Sequence, residues 1–233
     1  MYRRKHHQLI ASCLGNFNRE YLADHGVLFG GGTRIALELD EYRESVDIDF
    51  LCADKAAFLA VRQQVTNTSL GDLVTAPFSL GREIRFDRYG VRTFLNVDGI
   101  NIKLEFVAFD NYQLKAGTDL SLFPVPYIDR TSCFVTKLLA NADRLGSKPY
   151  KDIFDLVVMF GAWGDIPVAA FSEAYSHYGK NVVNQSLQEA LTRLSGNSAD
   201  YAQAATNMSI DACYYTDFIL PNAHKMLEQC YRS

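Results

Sequence analysis

The chain has 233 residues, of which 48% are hydrophobic and 21% charged, a composition that supports one large folded domain or two small ones. Its formal net charge of −4 excludes a general attraction for nucleic acid, so a polyanion would have to bind a local basic patch. The basic run at residues 3–7 is interpreted as a solvated N-terminal turn in preference to a nucleic-acid-binding arm. No apolar stretch approaches 18 residues and the N-terminus has no signal core; we therefore expect a cytoplasmic protein with no membrane partner.

The five cysteines are odd in number and widely spaced, and no two of them form a Cys-x-x-Cys pair. The histidines likewise show no spacing that is typical of metal ligands. This pattern favours reduced, packed thiols over disulfides or a zinc site.

The N-terminal part of the chain alternates predicted helices with short strands. A helix is predicted over residues 2–25, where apolar residues recur at helical spacing, and Gly26 ends it. Residues 27–29 are predicted to form a short buried strand that runs into three glycines at residues 30–32. Thr33 is placed to cap the next helix with its side-chain oxygen.

The next predicted strand, residues 46–51, has two faces of opposite character. Its apolar residues point one way while Asp47 and Asp49 point the other, because successive side chains alternate along a strand. Asp54 is then predicted to begin a helix that extends to about Val65.

Residues 66–81 are polar and irregular, whereas residues 82–109 are predicted to form strands. The Asp98-Gly99 pair predicts a hairpin between two of these strands. Beyond the hairpin apolar and polar residues alternate, so Glu105 is expected on the polar face of its strand.

The remainder of the chain is predicted to be helical, with a domain boundary near residues 124–130, where two prolines occur. One helix is predicted over residues 131–145 and ends at Gly146, and another over residues 149–161 begins with Pro149. Two further helices are predicted at residues 167–178 and 186–195, and Ser186 and Glu189 have the spacing of a capping box for the second. Pro221 is predicted to break the helical structure near the C-terminus.

Asp47 and Asp49 are the first candidates for chemistry. Their Cα atoms would be about 6.6–6.8 Å apart on one side of a strand, which suits the oxygen coordination of one or two Mg²⁺ ions. An isolated Asp-x-Asp is more often a solvated strand face, but this pair lies among apolar residues and follows a glycine turn. Such a turn lets the backbone approach a phosphate, and the N–H groups at the helix start favour negative charge there.

The order of these residues resembles the signature of the DNA polymerase β-like nucleotidyltransferase superfamily, in which Gly-Gly or Gly-Ser precedes an Asp-x-Asp. Here Gly31-Gly32-Thr33 is followed, after thirteen residues, by Asp47-Ile48-Asp49. The resemblance is closer to the AbiEii/AbiGii toxin family of type IV toxin–antitoxin and phage abortive-infection systems. That family continues the pattern as Arg-x-Ser-x-Asp-hydrophobic-Asp-Phe, which residues 43–50 fit throughout.

Two further segments of this chain correspond to the AbiEii/AbiGii pattern. The family's helical lysine and the arginine after it match Lys137 and Arg144. Its basic-Asp-x-x-Asp-Leu segment matches residues 151–156, which include Asp152 and Asp155. The resemblance therefore covers about residues 26–160.

The resemblance implies an α+β chain. Residues 1–126 would form a polymerase β-like catalytic domain, a mixed sheet flanked by helices, and residues 127–233 would form a helical domain. The implied reaction is Mg²⁺- or Mn²⁺-dependent transfer of an NMP from an NTP, with release of pyrophosphate. The acceptor would be a tRNA 3′ end or a protein hydroxyl, and the protein would be a toxin with a cognate antitoxin.

The resemblance also implies catalytic roles for five residues. Asp47, Asp49 and Glu105 would bind the metal, although Glu105 stands where the superfamily more often has Asp. Either Glu105 or Asp155 would accept the proton of the attacking hydroxyl, and Lys137 would neutralise triphosphate charge.

The implied nucleotide-binding residues surround these groups. Gly32 and Thr33 would hold the β- and γ-phosphates, with Thr33 retaining the hydroxyl that the superfamily often supplies from Ser. The other nucleotide-binding candidates are Gly31, Arg34, Arg43, Ser45, Lys137, Arg144 and Asp152.

Two other functions stay open from the sequence. One is nucleotidyl transfer to a small molecule, as in the aminoglycoside-modifying relatives. The other is a non-catalytic relative that binds a nucleotide or a protein partner, although the intact aspartate pair argues against it. Basic residues near the motifs mildly favour an RNA acceptor.

Overall fold

The computed structural model describes residues 2–109, 111–145, 147–148 and 150–231. The chain divides into two units. Unit 1 consists of Met1–Glu38 and Ser45–Asp129, and unit 2 consists of Leu39–Glu44 and Arg130–Ser233. The segment Leu39–Glu44 therefore belongs to unit 2, although the residues on either side of it belong to unit 1.

The described residues of unit 1 form a five-stranded mixed sheet. Its strands are β1 (Val27–Gly30), β2 (Asp47–Cys52), β3 (Leu80–Phe86), β4 (Gly90–Val97) and β5 (Ile100–Ala108). The spatial order is β1-β2-β5-β4-β3, with β2 and β5 parallel and the other neighbours antiparallel. The predicted α+β class and mixed sheet are confirmed.

One side of this sheet packs against helices and forms the core of unit 1. The helices of the unit are α1 (Lys5–Leu14), α2 (Arg19–Asp24), α3 (Gly31–Glu38) and α4 (Lys55–Gln64). The rings of Phe50 and Phe106 stack with centroids 5.1 Å apart in this core, together with Ile10 of α1 and Val61 of α4. Burial of each such side chain contributes about 1.5–3 kcal/mol, and it fixes which side of β2 faces away from the core.

The predicted hairpin between β4 and β5 is confirmed. Asp98 and Gly99 have φ angles of 52° and 77°, the left-handed conformation that a two-residue turn between twisted strands requires. Asp54 also caps α4 as predicted, because its carboxylate accepts a hydrogen bond from the Ala57 amide at 2.8 Å.

The prediction of one helix over residues 2–25 is wrong. The helix is interrupted between α1 and α2. At this break the ring of Phe17 packs in the core, with its centroid 4.7 Å from that of the Phe50 ring. Asn18 then caps α2 by accepting a hydrogen bond from the Tyr21 amide at 3.1 Å. The basic run is not wholly a solvated turn either, because His7 is fully buried.

The predicted cap at Thr33 is also wrong. The helix α3 begins at Gly31, so Thr33 lies within its first turn. Gly31 makes the change of direction from β1 with a φ of +70°, a conformation that favours glycine.

Unit 2 is helical, as predicted for the C-terminal part of the chain. Its helices are α5 (Arg130–Asp143), α6 (Lys151–Trp163), α7 (Val168–Tyr178), α8 (Lys180–Ser195), α9 (Ala199–Asn207) and α10 (Ala212–Tyr214), followed by a π-helical turn (Tyr215–Ile219) and α11 (Leu220–Cys230). Fully buried residues such as Phe154, Val157 and Leu191 form its core.

Two local predictions in unit 2 are wrong. Ser186 does not cap a helix, because α8 already begins at Lys180 and the Ser186 hydroxyl donates to the Val182 carbonyl at 2.7 Å. Pro221 does not break the chain, because the π-helical turn at Tyr215–Ile219 runs directly into α11, whose first turn contains Pro221. The predicted roles of Gly146 and Pro149 fall outside the described residues.

The five cysteines are free thiols, as predicted, and three of them are buried. Burial raises the pKa of the Cys13 thiol to about 11, which keeps it protonated at neutral pH. Across the described ranges, no helix has the length and apolar character needed to cross a membrane.

Candidate active site

The start of α3 and the carboxylate of Asp49 are in contact. Asp49 on β2 lies opposite Gly30 on β1, immediately before the first turn of α3. A Cβ atom added to Gly31 would lie 2.2 Å from Asp49 Oδ2, so a side chain at this position would displace the carboxylate. The glycine therefore brings the N–H groups of a helix start and an aspartate together.

Thr33 and Ser45 support this arrangement from within unit 1. Thr33 Oγ1 lies 2.5 Å from the backbone oxygen of Asp47 and 2.8 Å from Ser45 Oγ. A carbonyl can only accept, so the Thr33 hydroxyl donates to Asp47 and accepts from Ser45. The Ser45 amide in turn donates to Nε2 of buried His7 at 3.0 Å. The Thr33 hydroxyl, predicted to hold a phosphate, is thus engaged in joining α3 to β2.

Glu105 lies beside Asp49, which is the position expected of the third carboxylate of the site. The two are register partners on the parallel strands β5 and β2. The Glu105 carboxylate, however, is held by Arg92 Nε at 2.5 Å and by Lys103 Nζ at 2.7 Å. Burial alone raises the pKa of Glu105, but the hydrogen bonds from Lys103 and Arg92 outweigh it and the pKa is lowered.

These ion pairs do not match the prediction that Glu105 accepts a proton or completes a metal site. A carboxylate with a lowered pKa is a poor proton acceptor. Within the described part of the chain, no group of three or more His, Cys, Asp or Glu side chains is placed to hold a metal ion. Asp47 and Asp49 are left as the acidic pair on the polar face of β2.

In unit 2, Arg43 and Asp155 form a buried bidentate ion pair. Arg43 Nε lies 2.7 Å from Asp155 Oδ1, and Arg43 Nη2 lies 3.0 Å from Oδ2. The Tyr42 hydroxyl also donates to Asp155 Oδ1. The segment Leu39–Glu44 is further held by the Glu44 amide, which donates to the Met208 carbonyl at 2.8 Å.

Lys137 extends this ion pair into a network. Its Nζ lies 2.6 Å from Asp155 Oδ2 and 2.9 Å from Asp152 Oδ1. Arg144 Nη2 lies 2.7 Å from Asp152 Oδ2 and forms an ion pair with it. Half of the Arg144 side chain is exposed to solvent. The network, Arg43, Lys137, Arg144, Asp152 and Asp155, therefore has three cations and two carboxylates, so it carries an excess positive charge.

The pKa shifts in the network follow from burial and pairing. Burial alone raises the pKa of Asp155, but Arg43 and Lys137 outweigh it and hold the pKa well below its usual range. Burial likewise raises the pKa of Asp152, and Lys137 and Arg144 reverse the shift. The same carboxylates raise the pKa of Lys137 against the effect of its burial. All three groups are consequently charged at neutral pH, and Asp155 is a poor candidate for a general base.

Arg34, predicted to contact the nucleotide, points into the interior of unit 1. It is 1% exposed, and its Nη2 pairs with Glu38 Oε2 at 2.5 Å. Its guanidinium also lies over the ring of Tyr127, 5.3 Å from the centroid. This placement gives Arg34 a packing role.

Sequence reasoning missed Tyr42, His7 and Arg92. Tyr42 contacts Asp155 across 113 positions of sequence, and the partners of His7 and Arg92 are also set by packing. Only the position of Tyr42 next to Arg43, the first residue of the family motif, offered a signal.

The sequence profile of the nucleotidyl transferase AbiEii toxins, a type IV toxin–antitoxin family, matches residues 17–214. The chain belongs to this family. The AbiEii match spans β2, the network of unit 2 and most of the helices that follow, and it makes the protein a nucleotidyltransferase.

Solved structures share the fold of this chain. A protein from H. pylori that carries a provisional nucleotidyltransferase name superposes with a TM-score of 0.54 at 15% identity, covering 97% of this chain and 95% of its own. JHP933 from Helicobacter pylori gives a TM-score of 0.54 at 14% identity, covering 100% of this chain and 96% of its own. At such identities the likeness concerns the fold alone. None of the curated proteins matches the sequence.

Proposed function

We propose that this nucleotidyltransferase moves an NMP from an NTP to a macromolecular acceptor in a Mg²⁺-dependent reaction, as the toxin of a toxin–antitoxin pair. The observation that carries the proposal is the contact between the α3 start at Gly31 and the Asp49 carboxylate. It would unite a phosphate-binding element with a metal-binding element in unit 1. Free thiols and the use of NTP favour the cytoplasm, and the family favours a cognate antitoxin.

The residues present fit a divalent cation. Asp47 and Asp49 supply the hard oxygen ligands that Mg²⁺ and Mn²⁺ prefer, and the missing side chain of Gly31 lets the Asp49 carboxylate pack against the start of α3. Asp47 and Asp49 would hold the ion, which when bound neutralises phosphate charge and polarises the α-phosphoryl group. Glu105 is not proposed as a ligand, because Arg92 and Lys103 hold its carboxylate.

The protein's own groups would position the reactants. The backbone N–H groups at Gly31, Gly32 and Thr33 would bind the β- and γ-phosphates. The acceptor hydroxyl attacks the α-phosphorus; the new P–O bond forms as the bond to the bridging oxygen breaks, pyrophosphate leaves, and the hydroxyl proton passes to water.

The network of unit 2 would add positive charge without supplying the base. Its excess charge and the exposed half of Arg144 support an anion-binding role for unit 2. Asp155, Asp152 and Arg43 are proposed as positioning residues, because each is buried and satisfied by the others. Lys137 likewise acts through the two carboxylates that hold it.

The test is an acceptor assay. Each labelled NTP is incubated with the protein, Mg²⁺ and either total tRNA or an RNase-treated cell extract, and label transfer is followed. Asp49→Asn should abolish transfer to either acceptor, while Asp98→Asn, which removes an exposed carboxylate in the β4–β5 turn, should not. Failure of the wild type to label any acceptor or release pyrophosphate would overturn the proposal.

A further inference from the structure

Two rows of side chains cross the polar face of the unit-1 sheet from β2 to β3. Register partners on neighbouring strands point to the same face, so each row is continuous. The first row is Asp49, Glu105, Arg92 and Arg85. The second row is Asp47, Lys103, Phe94 and Arg82. Strands are spaced by about 4.8 Å, so the far arginines lie about 14 Å from the aspartates.

Arg82 and Arg85 share this face because β3 is irregular. Residues three apart on a regular strand point to opposite faces. The register shift between them lets Arg82 face Phe94 and Arg85 face Arg92, which are two apart on β4. Such bulges re-aim side chains, and here the result is two arginines at the end of the rows.

Along each row the charge changes from negative at the aspartates of β2 to positive at the arginines of β3. In the middle, Glu105 is neutralised by Arg92 and Lys103. At the far end Arg82 and Arg85 are exposed, and neither forms an ion pair with any residue that the structure describes. A chain with a net charge of −4 thus carries a local basic edge on the face of its metal-binding aspartates.

Aromatic rings accompany these arginines. The Arg82 guanidinium lies over the Phe94 ring, 4.5 Å from its centroid. In the turn between β3 and β4, Arg88 lies 4.6 Å from the centroid of Tyr89, which is 57% exposed. Arginine beside aromatic surface is the combination that binds single-stranded nucleic acid, through phosphate contacts and base stacking.

We propose that this face binds the single-stranded 3′ end of an RNA acceptor, with its backbone phosphates on Arg82 and Arg85 and a base stacked at Phe94. The strand would run along the rows, so that its terminal hydroxyl reaches Asp47 and Asp49. The inference rests on the proposed transfer reaction and specifies its acceptor. A protein acceptor would present only its hydroxyl at the aspartates and would have no phosphates to pair with arginines at the far edge.

The binding test uses a fluorescein-labelled single-stranded RNA of about ten nucleotides, followed by anisotropy over a salt series. Arg82→Gln combined with Arg85→Gln should weaken binding at least about tenfold at low salt. It should also reduce the slope of log K against log[salt] by about 1.4, because each phosphate contact on a single strand contributes about 0.7. The matched control is Arg19→Gln with Lys55→Gln, which removes two exposed charges from α2 and α4 of the same unit. The control should change the affinity less than twofold; an equal effect of the two double variants would overturn the inference.

The kinetic test uses total tRNA as acceptor. The Arg82/Arg85 double variant should raise KM for tRNA at least about fivefold and leave KM for NTP unchanged. A raised KM for NTP would place these arginines on the nucleotide and overturn the inference. Transfer in the RNase-treated extract but never to RNA would overturn it too, while the proposed transferase activity would stand.

Discussion

Arg43 and Asp155 face each other through two parallel hydrogen bonds of 2.7 and 3.0 Å, with side chains that are 4% and 0% exposed. This pairing links a segment from the first fifth of the chain to α6 of unit 2. The segment Leu39–Glu44 joins α3, which begins at the glycine turn, to β2, which carries the aspartates. The ion pair therefore anchors the segment Leu39–Glu44 to α6 within unit 2.

Asp155→Asn is expected to destabilise unit 2 by about 3–5 kcal/mol, because it leaves Arg43 and Lys137 buried without their full countercharge. Trp163 is the single tryptophan and lies at the end of α6, so its fluorescence during urea unfolding reports on this unit. The control Asp200→Asn removes a carboxylate from an exposed pair with Lys148 and should leave the midpoint unchanged. A similar shift in both variants would show that the network contributes no special stability.

The stability of unit 2 should fall in acid. The folded-state pKa values of Asp152 and Asp155 are lowered below the value of about 3.9 for an unfolded chain. The unfolded state therefore binds more protons at low pH, and the contribution is complete above about pH 5 and is lost as the pH falls through the folded pKa values. The difference in unfolding free energy between wild type and Asp155→Asn should be largest near pH 7 and shrink towards pH 2. A difference that stays constant over this range would contradict the lowered pKa of Asp155.

Gly31→Ala should reduce nucleotidyl transfer at least about a hundredfold, a loss of the size seen when one transition-state contact is removed. The added Cβ would lie 2.2 Å from Asp49 Oδ2 and push the carboxylate away. Gly99→Ala is the matched control, because Gly99 also has a positive φ of 77° but no atom within 4 Å of the added Cβ. Both variants introduce a backbone strain of about 1–2 kcal/mol, because alanine must adopt a positive φ. Only Gly31→Ala, however, should lose activity. Equal activity losses would mean that strain and not the aspartate explains the effect.

Thr33→Val should lower the free energy of unfolding of unit 1 by about 1–3 kcal/mol, since it removes the hydroxyl of buried Thr33 that donates to the Asp47 carbonyl. Thr33→Ser keeps the hydroxyl and should cost much less. Hydrogen exchange at β2 amides measures the effect locally. If Thr33→Ser were as unstable as Thr33→Val, the methyl group and not the hydrogen bond would be the stabilising feature.

The sequence by itself determined the elements whose signals are local. Alternation placed Asp47, Asp49 and Glu105 on polar strand faces, because successive residues of a strand point to opposite sides. The Asp98-Gly99 turn followed from backbone preference alone. The order and spacing of the motifs were sufficient to indicate the family.

The tertiary structure decided which charged groups are paired. Glu105 looked like a third metal ligand until the register of β4 and β5 placed Arg92 opposite it. Asp155 looked like a base until burial surrounded it with Arg43 and Lys137. A pKa depends on burial and on neighbours distant in sequence, and neither can be read from local pattern. The bulge that brings Arg82 and Arg85 to one face is equally a property of strand pairing, so only the folded sheet reveals the basic edge on the same face as the aspartates.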